Sequence, residues 1–170
     1  MPAFGTHETI QVEVDARGVA TLTLARPEVR NAMNGQMYDE ARSALRLLDA
    51  DPQVRVLILT NLGDTFCAGG DFKYQQSQAG RPRDERIKEA QKLALWLREL
   101  DTFSKLVIGR INGSAYAGGV GLISTCDIAL GQMQPGAESA VRDEVTARKA
   151  AAAANLRQPP PEEAITADSP

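Results

Sequence analysis

Two segments of the chain combine glycines and small residues in a way suited to holding a developing negative charge: "TFCAGGDFK" at 65–73 and "INGSAYAGGVGLISTCDIAL" at 111–130. Glycine reaches positive φ without a Cβ penalty and lets main chain approach a ligand closely, while the start of a helix leaves its first N–H groups unpaired at the positive end of its dipole. A donor near Gly69 and Gly70 and a second near Gly118 and Gly119 can converge on one carbonyl oxygen. Each donor of that kind typically contributes about 10²- to 10³-fold in rate. Glycine-rich turns between strand and helix also arise for packing alone, and spacing does not separate the two readings. Other chemistries are poorly served. His7 is the single histidine and lies near the N-terminus, which argues against a Ser-His-Asp or Cys-His arrangement. Cys67 has no base to activate it and reads as a small core residue. Cys67 and Cys126 lack CxxC spacing, so neither a disulfide framework nor a metal site is expected. "GSAYAGG" lacks the GK[ST] ending of a P-loop, and no GxGxxG fingerprint is met.

The elements that must position these segments alternate along the chain. Ile10, Val12 and Val14 alternate with polar residues, "DARG" turns, and Val19, Leu22 and Leu24 continue, which predicts a hairpin. Asn34 is placed to cap a helix through about Asp49, with Met37, Ala41, Leu45 and Leu48 on one face. "VRVLIL" at 54–59 is a continuous apolar run suited to a parallel strand covered on both faces. A polar loop "QQSQAGRPRDE" is expected next, then a helix from about Asp84 to Leu100 with Ile87, Leu93, Leu97 and Leu100 on one side and Trp96 in the core. "KLVIGRI" predicts another buried strand, "VGLISTC" a short helix and "DIALG" a final strand. Strand, helix, strand, helix, strand predicts an α/β fold with right-handed crossovers, and both glycine segments fall at carboxyl ends of strands, where open α/β sheets bind ligands.

Composition sets the class. The chain has 170 residues, 43% hydrophobic and 24% charged, with a net charge of −3, as in a soluble single domain without a basic field for nucleic acid or anionic membranes. No signal peptide or membrane span is expected from "MPAFGTHETI" or from any apolar run, and the cysteine usage suggests a reducing, cytoplasmic setting.

"RPEVRNAMN", "TFCAGGDFK" and "INGSAYAGGVGLISTCDIAL", in that order and at these separations, resemble the enoyl-CoA hydratase/isomerase (crotonase) superfamily over residues 10 to 130. The resemblance implies a spiral of ββα turns over 8–131, assembly into trimers or dimers of trimers, and acyl-CoA thioesters as substrates, with coenzyme A entering as part of the substrate rather than as a separate cofactor. It implies that the N–H groups of Gly70 and Gly118 polarise the thioester carbonyl and stabilise an enolate. Val29, Arg30, Ala68, Asp71, Phe72 and Lys73 become coenzyme A contacts, with Arg30 or Lys73 paired to phosphate. Asp71 reads equally well as a helix cap, and Tyr116 is a candidate for the acyl pocket.

The departures from that pattern are specific. The two catalytic carboxylates of the hydratases would fall at Gly121 and Val141, and neither residue is acidic. The "GGVGLIS" form of the helix resembles the subgroup near methylglutaconyl-CoA and terpenoid glutaconyl-CoA hydratases. Glu138 and Glu144 lie outside the family's context and read as surface residues. From 132 to 170 the chain carries five consecutive alanines (Ala150 to Ala154) and Pro159 to Pro161, which predicts at most one helix and then a disordered tail. The family's C-terminal part is thus expected to be missing or replaced after about residue 130. An enoyl-CoA hydratase-type enzyme, its activity lowered by the absent acids, is the leading reading. A non-catalytic acyl-CoA-binding relative and an unrelated nucleotide-binding domain are the alternatives.

Overall fold

The computed structural model describes residues 7–131. The chain divides into Met1–Gln132 and Met133–Pro170; the expectations for 132–170, including Glu138, Val141 and Glu144, lie outside the described residues. The elements run β1 (Ile10–Val14), β2 (Val19–Leu24), α1 (Gly35–Ala50), β3 (Val56–Asn61), β4 (Thr65–Cys67), α2 (Phe72–Gln78), α3 (Arg83–Asp101), β5 (Leu106–Ile111), β6 (Ser114–Ala115), α4 (Gly118–Ser124) and β7 (Ile128–Gly131). The α/β class and the ββα repeat follow from this order.

The larger sheet has the order β1-β2-β3-β5-β7, with β1 antiparallel to β2 and every other pair parallel. Register puts one set of apolar side chains on a common face: Ile10 pairs Leu24, Val12 pairs Leu22, Ala20 pairs Leu57, Leu22 pairs Leu59 and Leu57 pairs Val107. A slip of one residue would turn that whole set away from the core. The face packs with the α1 residues Met37, Ala41, Leu45 and Leu48 and with Trp96 and Leu100 of α3 in one cluster. Asn34 starts α1 as expected, its side chain accepting from the Met37 N–H at 2.9 Å.

Three expectations need correction. Residues 75–85 are not one loop: α2 runs through Gln78 and α3 begins at Arg83, because Asp71 caps a short helix whose polar surface hides it from periodicity. Ile87 does not join the apolar side of α3 and is exposed, whereas Leu93 and Leu97 are partly buried and Trp96 and Leu100 fully so. Neither β3 nor β5 is covered on both faces. In β5 Val107, Gly109 and Ile111 are buried while Leu106 and Arg110 are exposed, and in β3 Val56 and Ile58 are half-buried. Among the described residues a helix layer packs on one face of these strands only, so alternation replaces the continuous burial that the apolar runs suggested.

The second sheet is the parallel pair β4–β6. β3 leads into β4 and β5 into β6 through glycines at equivalent places, Gly63 at φ 79° and Gly113 at φ 83°. At Gly113 a Cβ would overlap the Asp64 carbonyl oxygen, so the two turns lie main chain against main chain. That contact brings both glycine-rich segments to one place.

Candidate active site

Three stretches of main chain lie side by side at the β4–β6 end. The Ala68 N–H donates to the Arg30 carbonyl at 2.9 Å, the Met33 N–H to Gly69 O at 2.8 Å, the Asp71 N–H to Met33 O at 2.8 Å, and the Tyr116 N–H to Cys67 O at 2.9 Å. The two Met33 bonds flank Gly70 as a parallel bridge. In a parallel bridge the residue between the two bonds turns its own N–H and C=O away from that partner, so the Gly70 amide faces away from Met33.

The second glycine segment packs directly against the first. Gly69 sits at φ 93°, and a Cβ there would lie 3.1 Å from Ala117 Cβ and 3.3 Å from Tyr116 O. A Cβ on Gly119 would lie 2.8 Å from Cys67 Cβ and 2.9 Å from Cys67 O. Gly118 is the first residue of α4, where a helix has no acceptor for the N–H, and neither it nor Gly70 donates its N–H to a backbone acceptor among the described residues. The preceding Ala117 holds φ 46° and ψ −117°, a left-handed conformation costing on the order of 1–3 kcal/mol for a residue with a side chain. Met33 reaches this second segment too: a Cβ on Gly118 would lie 2.5 Å from its Cε and 3.2 Å from Leu93 Cδ2.

The residues expected to contact coenzyme A gather beside the same strands. Val29 ends a single 3-10 turn, Pro27–Val29, and Arg30 follows at φ 53°. Asn31, also at φ 53°, is buried and ties the turn down, donating to Leu62 O at 2.9 Å and Thr65 O at 2.8 Å and accepting from the Arg26 N–H at 2.9 Å. Ala68 is half-buried, Phe72 is 75% exposed, and Arg30 and Lys73 are exposed without an ion pair among the described residues. Asp71 is the cap: its Oδ1 accepts from the Tyr74 N–H at 3.1 Å and its Oδ2 from Arg26 Nη2 at 3.1 Å. Burial acts to raise its pKa, and the Tyr74 N–H and Arg26 outweigh it and hold the carboxyl below the usual carboxylate range. Burial pushes the Cys67 thiol up, as befits an unreactive core cysteine. Tyr116 stands 55% exposed at the glycine turn.

Side chains that the sequence reading did not single out complete the site. A cavity of about 500 Å³ lies between α2 and α3 over Tyr38, and Tyr74, Gln75, Gln78, Glu89 and Leu93 line it. Two of its lining side chains touch the glycine segments: the Gln75 side-chain amide occupies the space that a Cβ on Gly70 would take, and Leu93 lies against Gly118. Gln78 Oε1 is a buried acceptor on this cavity with no hydrogen-bond partner among the described residues, whereas Glu89 is hydrogen-bonded to Tyr74, beside which its Oε1 lies over Gly35. The sequence marks Leu93 only as a core position of α3 and does not mark Tyr74, Gln75, Gln78 or Glu89, because α2 read as loop and Glu89 sits on a charged stretch of α3. At Gly121, where the first hydratase carboxylate was sought, a Cβ would lie 3.3 Å from Leu97 Cδ1. Among the described residues no cluster of three or more His, Cys, Asp or Glu could hold a metal, and no helix is long and apolar enough to cross a membrane.

A ββα spiral carrying paired glycine segments at one end is the architecture of acyl-CoA-processing crotonases, and the comparisons agree. The family model for enoyl-CoA hydratase/isomerase matches residues 15–136, and the chain belongs to that family. Among its relatives, a protein of Mycobacterium leprae named "probable enoyl-CoA hydratase" is 37% identical over 116 residues, covering 66% of this chain and 44% of the relative. The hydroxycinnamoyl-CoA hydratase-lyase of Pseudomonas fluorescens is 33% identical over 129 residues, covering 74% and 46%. The crystal structure of an enoyl-CoA hydratase from Shewanella pealeana superposes with a TM-score of 0.70 at 30% identity, over 73% of this chain and 46% of that one. The chain therefore spans less than half the length of these relatives.

Proposed function

We propose that this chain binds acyl-CoA thioesters and acts on them as an enoyl-CoA hydratase/isomerase-type enzyme, holding the thioester oxygen between the N–H groups of Gly70 and Gly118. One observation carries the reading: two amides without a backbone acceptor sit on segments locked together by main-chain contact. Donors fixed before the substrate arrives need no reorganisation as charge moves onto the oxygen, which is why such pairs favour an enolate over its thioester. Val29, Ala68 and Phe72 supply apolar contact for the coenzyme A moiety, and the unpaired cations Arg30 and Lys73 meet its phosphates. Asp71 supports the site by capping α2 and anchoring Arg26. No separate cofactor enters this scheme. A cytoplasmic enzyme working as a homo-oligomer, trimer or hexamer, fits this reading.

A second reading, an acyl-CoA-binding relative with little turnover, is favoured by the packing at Gly121, where a longer side chain would displace Leu97. Calorimetry with acetoacetyl-CoA, whose enolate mimics the charged intermediate, tests the shared part: binding is expected, and no heat up to millimolar ligand would overturn it. Hydration of crotonyl-CoA, followed by loss of the conjugated-thioester absorbance, separates the two readings. Proline carries no N–H, and its ring at 118 would also press on Met33 Cε, so Gly118→Pro should lower turnover by at least about 10²- to 10³-fold. Unchanged turnover would remove Gly118 from the site.

A further inference from the structure

We infer that Met33 is a positioning residue for the thioester oxygen: its main chain sets the direction of the Gly70 N–H, and its side chain sets where Gly118 stands. The inference rests on the thioester reading above and adds to it the residue that registers one donor against the other.

The described residues contain no cis peptide bond, so each donor N–H lies in a planar trans peptide and points opposite to the carbonyl of the preceding residue. For Gly70 that carbonyl is Gly69 O, which accepts from the Met33 N–H at 2.8 Å. Met33 therefore turns the Gly70 N–H to the side away from itself. The following peptide is held in the same way, since the Asp71 N–H donates to Met33 O at 2.8 Å. For Gly118 the carbonyl is Ala117 O, which accepts from the Val120 N–H at 3.0 Å. The first turn of α4 thus aims the Gly118 N–H back out of the helix, and what is left to fix is the place of the helix start.

The Met33 side chain bounds that place. Its Cε would lie 2.5 Å from a Cβ on Gly118, so the thioether methyl sits directly against the Gly118 Cα, and Leu93 Cδ2 of α3 meets the same spot at 3.2 Å. Met33 is 1% exposed and belongs to the buried cluster, where close packing leaves a side chain little room to withdraw. The other contacts between the two segments join neighbours of the donors. The Tyr116 N–H donates to Cys67 O at 2.9 Å, Ala117 Cβ packs at Gly69, and Gly119 packs on Cys67. Met33 meets the two donor residues themselves. Hydrogen bonds to an anionic oxygen depend on both N–H groups being aimed at it beforehand, so a shift of Gly118 relative to Gly70 weakens the hold on an enolate more than the hold on the rest of the ligand.

The test uses the 170-residue chain with two probes: acetoacetyl-CoA, whose enolate carries charge on the thioester oxygen, and coenzyme A, which has no carbonyl there. The enolate absorbance of bound acetoacetyl-CoA, followed against pH, gives the pH at which half of the bound ligand is ionised. Donors that favour the enolate lower this midpoint below its value in water, and loss of their alignment raises it. Met33→Ala is expected to raise the bound midpoint by about one pH unit, a tenfold loss of preference for the enolate, with coenzyme A affinity kept within about threefold. Met33→Leu conserves apolar volume, which cores tolerate, but ends one atom short of Cε. It should give a smaller rise in the same direction, and it decides the question where the alanine variant does not fold. An unchanged midpoint in the folded variants would overturn the inference. So would coenzyme A binding weakened as much as acetoacetyl-CoA binding, which would mark a general loss of structure. An unaltered chain that does not bind acetoacetyl-CoA, or that leaves its midpoint where water sets it, would instead overturn the thioester reading, so the two failures are distinguishable.

Discussion

Asp71 holds two jobs on one carboxylate, and they can be pulled apart. Its Oδ1 caps α2 and its Oδ2 pairs with Arg26, whose side chain is 16% exposed against 13% for Asp71. Asp71→Asn should keep the cap and lose the ion pair, whereas Asp71→Ala should lose both. Loss of a cap costs about 0.5–2 kcal/mol, so the alanine variant should unfold at a lower temperature than the asparagine variant. The pH dependence has a fixed sign. A carboxyl whose folded pKa lies below its unfolded value of about 3.9 stabilises fully above that value and loses the contribution as pH falls through the folded pKa. Asp71→Ala should therefore flatten the melting temperature against pH below about 4; a slope identical to that of the unaltered chain would refute the assignment. This residue was legible in the sequence as either cap or ligand contact, and only the placement of Arg26, 45 positions earlier, decides what its second oxygen does.

At the scale of elements, α4 is set by its entry. Ala117 bends into a conformation that glycine adopts freely, and it does so immediately before Gly118. Ala117→Gly should stabilise the fold by about 1 kcal/mol, relieved strain outweighing the added freedom of the unfolded chain. An equal or lower denaturation midpoint would show that the neighbours absorb the strain. Gly119→Ala should act in the opposite direction, costing about 1–3 kcal/mol, because the new methyl meets Cys67 Cβ and its carbonyl, which cannot swing aside. The hairpin and α1 were readable because their periods are regular and their caps and turns carry characteristic residues; β3 and β5 were readable as strands, but their continuous apolar runs concealed that only one face is buried. The glycine segments were readable because motifs place them. α2 was not, since seven residues with an exposed face leave no periodicity. Nor was the cavity, whose lining comes from α1, α2 and α3, which meet only in the fold.

For the described part of the molecule, the sheet face opposite the helices carries an apolar stripe. Val56 pairs Leu106, Ile58 pairs Ile108, and Ile108 pairs Ile128, which aligns these side chains on one face with Leu130 and the exposed Arg110 that pairs it. Leu106, Ile128 and Leu130 are 46%, 45% and 61% exposed. Exposed apolar side chains gathered on one face in this way favour association. The double substitution Leu106→Lys with Leu130→Lys should lower self-association in sedimentation velocity while leaving the melting temperature nearly unchanged, because exposed side chains add little to folding. Unaltered sedimentation would assign the stripe no role in association. Met33 has a different reach. Its backbone is bonded to both flanks of Gly70 while its Cε occupies the space beside Gly118. The gap between the two amides is thus gauged by the length of one unbranched side chain. Shortening or branching that side chain should therefore shift the two glycine segments relative to one another without altering either glycine.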